Sequence, residues 1–290
     1  MTHPSQANYL LIDGALRPDA LVRLYQRHEL FEIEPLYMDT RWKDLYDLGP
    51  ILVKPLPASA LLSEWLVDES LWSDSTLIYS QAPIQQIADH LRRFINPPDY
   101  RGGSGLLRFA DPLVAHFWLS SYPASSAAHL GPIEHWWVAT PKQHWEPRAS
   151  NPWQAFSGQG CQATWDERTA LLGEDQLVAL DQAQHVRFIA RVHTRLCTRN
   201  PQFFLVMSAE QASAWLYLCL QRGLAWGLVN ERALILWFES CVDHGQDFIS
   251  QDPYQNWIHS DPANTCLSPD ARIRAFDVHR HSLKDTGHDS

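Results

Sequence analysis

The chain has 290 residues, 45% hydrophobic and 19% charged, enough apolar material to bury a core in two lobes, which excludes collagenous, low-complexity and wholly disordered classes. Acidic residues outnumber basic ones 33 to 23, and the excess is even, −5 in each half, so neither half looks like a nucleic-acid domain. Only four basic residues are lysines (Lys43, Lys54, Lys142 and Lys284) against 19 arginines, and 13 tryptophans run from Trp42 to Trp257; both side chains are favoured interface anchors, so the skew points toward binding.

Tyr9–Asp13 (YLLID) reads as a strand, and Asp13 breaks the run too early for a signal peptide. From Asp19 to Phe31, Leu21, Leu24, Tyr25 and His28 recur at helical spacing. Glu32–Tyr37 and Ile51–Lys54 are strand-like, on either side of a charged, aromatic loop. Ser59 caps a helix running to Glu69 with Leu62, Trp65 and Leu66 inward. Thr76–Ser80 then reads as a strand, Pro83–Ile95 as a helix and Leu106–Phe109 as a further strand. The alternation predicts an α/β lobe over 1–125, a sheet covered by helices.

Residues 126–173 lose this pattern in favour of Pro, Ser and Trp and read as a connector, with strands possible at Trp136–Val138 and around Trp165. Three helical segments follow, Glu174–Arg199, Ser208–Trp226 and Asn230–Ile249, so residues 174–260 form an all-helical lobe. The middle one carries Trp215, Leu216, Leu218, Leu220 and Leu224 nearly all round and is expected to be the buried central helix. Residues 261–290, with Asp261-Pro262, Pro269 and a His/Asp/Ser finish, read as a loose tail. The segment Ala214–Val229 falls short of a membrane span.

Signals for chemistry are sparse. Five separated cysteines without a CxxC pair speak against a disulfide framework or zinc site. The glycine cluster 101–105 precedes a strand, whereas phosphate cradles follow one and open a helix. No GxSxG elbow is present. Asp277, His279 and His281 would share a face only on a strand, and His129, His135 and His144 around Glu134 have no ligand spacing. Asp13 and Asp111 fall at strand ends where α/β sites form, but Asp13-Gly14 and Asp111-Pro112 are turn and capping sequences, and the structural role is favoured. No catalytic, cofactor or metal residue is therefore assigned.

Two features read as partner-binding candidates. Arg187, Arg191, Arg195 and Arg199 form a stripe at i,i+4 spacing, whose mutual repulsion asks for an acidic surface in a partner or in the N-terminal lobe, unless it is simply a solvated face. Trp136, Trp137, Trp145 and Trp153 in the connector offer aromatic anchors, or else cement the lobes together.

The order of the N-terminal segments adds a further sign. Tyr9–Ala15, Glu34-Pro35-Leu36-Tyr37, Leu48–Val53, Leu62 through Leu66, His90-Leu91-Arg92-Arg93-Phe94 and Leu107–Pro112 resemble the motif series of the type VI secretion adaptor domain, sometimes called Tap or TEC, over roughly residues 8–130. Ala110 departs from the aromatic usual there. The resemblance implies a non-catalytic adaptor or chaperone in the bacterial cytoplasm. Such a protein binds a cognate effector toxin and loads it onto the VgrG spike, and needs neither nucleic acid nor membrane insertion. An α/β enzyme, hydrolase-like or nucleotide-using, and a toxin-neutralising immunity protein are the alternatives. Independently of the family, Arg92 and Arg93 suit a helix C-terminus, and Arg108 beside Asp111 is placed to pair with an acid at the sheet edge.

Overall fold

In the first strand every side chain is buried, because both faces of the sheet it belongs to are covered. The computed structural model describes residues 4–56, 59–123, 127–147, 149, 151–160 and 169–286. The chain forms two compact units, Met1–Lys142 with Arg148–Gln184, and Gln143–Pro147 with His185–Ser290.

The first unit is built on β1 (Tyr9–Asp13), β2 (Phe31–Pro35), β3 (Pro50–Pro55), β4 (Ser75–Tyr79), β5 (His135–Ala139) and β6 (Trp153–Ser157), in the order β2-β3-β1-β4-β5-β6. All five pairings are antiparallel. Period-two alternation sends Leu10, Ile12, Ile51, Val53, Leu77 and Trp137 to one face, under α1 (Ala20–Gln26) and α2 (Leu61–Val67). Tyr9, Leu11, Leu52, Ile78, Trp136 and Val138 go to the other, under α3 (Ile84–Arg92) and α4 (Pro112–Ser120). Each fully buried Leu, Ile or Val stabilises by about 1.5–3 kcal/mol before chain entropy is counted. The sheet with covering helices is the architecture the sequence predicts, but the connector is not a separate element: β5 and β6 arise from it and complete the sheet.

The predicted strand at Leu106–Phe109 does not form. Arg108 carbonyl accepts a hydrogen bond from the Asp111 N–H (3.0 Å), which closes a turn and leads the chain into α4. The strand candidate around Trp165 lies outside the described residues.

The second unit contains most of α5 (Glu174–Arg199), then α6 (Ala209–Ala225), α7 (Glu231–His244), α8 (Asp252–Ser260), α9 (Pro262–Thr265) and α10 (Pro269–Thr286). Helix α6 starts with a capping box formed by Ser208 and Gln211. It is amphipathic rather than central, since Leu216 and Leu220 are buried whereas Leu218 and Leu224 reach solvent. The segment expected to be a loose tail forms two helices, Pro262–Thr265 and Pro269–Thr286. Its prolines stand at helix starts, Asp261 accepts from the Ala263 N–H (2.9 Å), and Ile273 and Phe276 enter the core with Tyr254, Trp257 and Ile258. The short segment Gln143–Pro147 belongs to this unit: Gln143 Nε2 donates to the Val186 carbonyl (3.1 Å), and Ser213 Oγ donates to Glu146 (2.5 Å).

Candidate functional site

At one end of the sheet three loops converge, each leaving a strand or helix that the core has already fixed. Asp13 closes β1 and pairs in register with Pro50 at the start of β3, while Pro35 ends β2 opposite Ile51. Loop 14–19 therefore lies beside loop 36–49, and the Gly14 N–H donates to the Gly49 carbonyl (3.0 Å). A Cβ on Gly14 would overlap the Asp47 carbonyl and lie 2.6 Å from that of Gly49, so this approach requires glycine. Tyr37 packs over Gly49 in the same way. Loop 93–111, between α3 and α4, joins through Trp42, whose indole N–H donates to Asn96 Oδ1 (2.6 Å), and through Asn96 Nδ2 donating to the Gly105 carbonyl (3.2 Å).

An ionic brace lies beneath these loops. The Arg108 guanidinium donates to both oxygens of the buried Asp13 carboxylate (2.9 Å each) and stands 3.7 Å from Asp111. Asp13 also accepts from the N–H groups of Ala15 and Leu16, and Asp111 from that of Leu113, where it caps α4. Close by, Arg17 pairs with Asp74 at 2.7 Å; burial pushes the Asp74 carboxyl above its ordinary range, and Arg17 opposes that shift. Burial likewise raises the Tyr37 hydroxyl, with the Asp13 charge adding to it.

Asp13 and Asp111 thus do meet at one sheet edge, as partners of one arginine and of backbone amides. These contacts brace the turns, and both carboxylates already have donors, which is poor provision for acid–base work. Replacing Arg108 by alanine would take the guanidinium away from two buried carboxylates; a loss of about 2–3 kcal/mol is expected in denaturant unfolding of the N-terminal unit, and less than 1 kcal/mol would show that their remaining donors suffice.

The same loops expose Leu16, Met38, Leu45, Tyr46, Leu48 and Leu106, each between 39 and 49% accessible. Single exposed apolar residues need no explanation, but six on three interlinked loops form a surface of the kind proteins use for association. Sequence reasoning missed them because nothing in the chain distinguishes Leu45 or Leu48 from a core leucine; the Leu48–Val53 motif and the loop between β2 and β3 were the only hints.

The arginine stripe finds its acids within its own unit. Arg191 reaches Glu231 and Arg195 reaches Glu239, both at 2.8 Å, while Arg199 meets the second oxygen of Glu239 and lies 3.4 Å from Asp243. The acids these arginines meet belong to α7, while Arg191 and Arg195 stay more than half exposed to solvent and Arg187 is partly buried. Trp136 and Trp137 are core residues of β5, and the Trp136 indole donates to Thr76 (2.8 Å). Trp153 packs on Trp72 at 4.8 Å. Trp145 stacks on His193 at 3.8 Å and donates to Ser213 (3.0 Å), so of the four tryptophans two are buried and two are partly covered by neighbours.

His279 and His281 lie on a helix, two residues apart and so on different faces; among the described residues no cluster of three His, Cys, Asp or Glu is placed to hold a metal. No helix of the described residues is long and apolar enough to cross a membrane.

Residues 8–129 match the family model described as "Domain of unknown function (DUF4123)". The chain is also similar to the accessory protein VasW of Vibrio cholerae serotype O1 (strain ATCC 39315 / El Tor Inaba N16961), 28% identical over 113 residues. That alignment covers 39% of this chain and 37% of VasW, so the chain spans little more than a third of this relative's length. No solved structure matches. Both likenesses agree with the resemblance to type VI secretion adaptors: all six motifs, including the residues of the ionic brace, fall between 8 and 129.

Proposed function

We propose that this chain, which carries a DUF4123 domain over residues 8–129, is a non-catalytic type VI secretion adaptor that binds a cognate effector and brings it to the VgrG spike in the bacterial cytoplasm. The observation that supports this most is the exposed apolar surface on the loops that the family's own motif residues hold in place. Gly14, Gly49 and the Asp13–Arg108–Asp111 brace keep those loops close, and Leu45, Tyr46 and Leu48 stand outward on them. A rigid frame under exposed apolar side chains lowers the ordering cost of association, which suits an effector-binding face. Chemistry at this end would need a free acid, base or nucleophile, and Asp13 and Asp111 are both already partnered.

The test is co-expression with the toxin and spike proteins encoded beside it. A three-way complex is expected, and a chain carrying Leu45→Asp and Tyr46→Asp should hold the effector at least about 100-fold more weakly, roughly 3 kcal/mol, with an unchanged melting temperature. If the wild-type chain captures neither partner, the adaptor reading fails. If the double variant binds as well as wild type, the adaptor stands but the effector sits elsewhere. Poisoning of sister cells that lack the chain would favour an immunity role.

A further inference from the structure

Helix α6 is fixed on one side and open on the other. Its inner face, Ala212, Ser213, Leu216, Cys219, Leu220 and Gly223, is buried. Helix α7 packs there: the Trp237 indole N–H donates to the Cys219 carbonyl (3.1 Å), and a Cβ on Gly223 would stand 3.0 Å from Leu234. The outer face carries Ala214, Leu218, Gln221 and Ala225, all exposed, with Leu218 40% accessible and Leu224 beside them at 36%. Beyond the two ends of the helix the chain exposes Val206 and Val229, each 85% accessible.

Two properties of this outer face point to its occupant. From Gln211 to Leu228 the one charged residue is Arg222, which is partly buried on the flank and pairs with Asp247 at 2.7 Å, so the seam itself is uncharged. Two copies of a chain with a net charge of −10 repel one another, and an uncharged seam is where they can meet without opposing like charges. The second property is spacing: Ala214, Leu218, Gln221 and Ala225 stand 4, 3 and 4 residues apart, which reads the same in both directions and is the alternation at which paired helices interlock. A second α6 running antiparallel, with a two-fold axis between Leu218 and Gln221, sets Ala214 against Ala225 and Leu218 against Gln221, each contact made twice. Alanine opposite alanine lets the helix axes approach to about 8 Å. The same arrangement lays the Val206 end of one helix beside the Val229 end of the other.

We infer that the exposed face of α6 is a self-pairing surface, on which two copies of this chain associate antiparallel about a two-fold axis. With 17 residues α6 is about 25 Å long, and one helix face of that length buries less than about 1,200 Å² between two copies. Interfaces of that size are transient, so a dissociation constant of about 10–100 μM is expected. The surface lies outside residues 8–129 and does not depend on the adaptor reading, whose effector face is on the other unit.

Sedimentation velocity of the intact chain between about 2 and 300 μM tests this. The mean mass should rise from that of one chain toward that of two. Leu218→Glu and Gln221→Lys, both at exposed positions, should each weaken the association at least about tenfold without changing the melting temperature. An equimolar mixture of the two variants should associate as the wild type does, because the antiparallel register places the introduced carboxylate against the introduced ammonium. A wild-type chain that stays monomeric at the highest concentration, an association indifferent to Leu218→Glu, or a mixture no better than its components would each overturn the assignment. Loss of a co-expressed effector from the Leu218→Glu variant of a chain that is itself monomeric would overturn it too, and give the face to that foreign partner.

Discussion

Lowering the pH from 7 to 4 is expected to destabilise the N-terminal unit by about 3 kcal/mol for each of two buried histidines, His90 and His129. His90 Nε2 donates to the His129 carbonyl (2.9 Å), the His129 ring stacks on Tyr122 at 3.9 Å, and Trp118 and Phe94 close the surroundings. Burial pushes both imidazoles down from 6.5 to about 4, with the Arg93 charge adding to the effect at His90 and His90 itself adding at His129. The folded state therefore keeps them neutral while the unfolded chain takes up protons near pH 6.5. Stability present above pH 6.5 is lost as the pH falls toward 4, and below that both states are protonated and the loss levels off. Urea unfolding at pH 7, 5.5 and 4 measures it. His129→Phe keeps the stack on Tyr122 and removes a ring nitrogen, Nδ1, that has no partner, so it should remove about half of the pH dependence. An unchanged slope in that variant would assign the acid sensitivity to the carboxylates instead.

Removing Arg195 and Arg199 together is expected to cost about 3–5 kcal/mol, because it leaves Glu239 as an uncompensated buried charge. The Glu239 side chain is only 4% exposed and lies between these two guanidiniums, each of which binds one of its oxygens. Each single alanine leaves one partner and should cost far less, so the pair is strongly non-additive. Adding Glu239→Gln to the double variant removes the charge and should restore part of the loss. Unfolding followed by tryptophan fluorescence decides the matter, and a double-variant loss below 1 kcal/mol would mean that water reaches Glu239. By contrast, Arg191→Ala should change little, since both Arg191 and Glu231 are more than half exposed and surface pairs contribute about 0–1 kcal/mol.

The local signals in the chain were sufficient for its secondary structure where a segment's own periodicity sets its partner-facing side. Tyr9–Asp13, Ile84–Arg92 and Glu174–Arg199 fall where their apolar spacing places them, and the helical C-terminal lobe follows from the same spacing. Leu106–Phe109 is as apolar as a strand but closes into a turn, because Arg108 is tied to Asp13, 95 residues away. The prolines at 262 and 269 resemble breakers and are helix starts, since a proline at N1 gives up only an N–H that the first turn leaves unpaired.

The ordered motifs from Tyr9 to Pro112 carried a resemblance to type VI secretion adaptors that the match over residues 8–129 agrees with, and the Asp13 and Asp111 turns were legible as capping chemistry. What the arginine stripe binds was not, because Glu231, Glu239 and Asp243 lie 40 or more residues further along and only packing brings α5 against α7. Nor could the sequence say that Trp136 and Trp137 are core while Leu45, Tyr46 and Leu48 are surface. Hydrophobicity is a property of each residue, but exposure depends on what the rest of the chain places over it, and that was decided only when six strands from both ends of the first unit closed into one sheet.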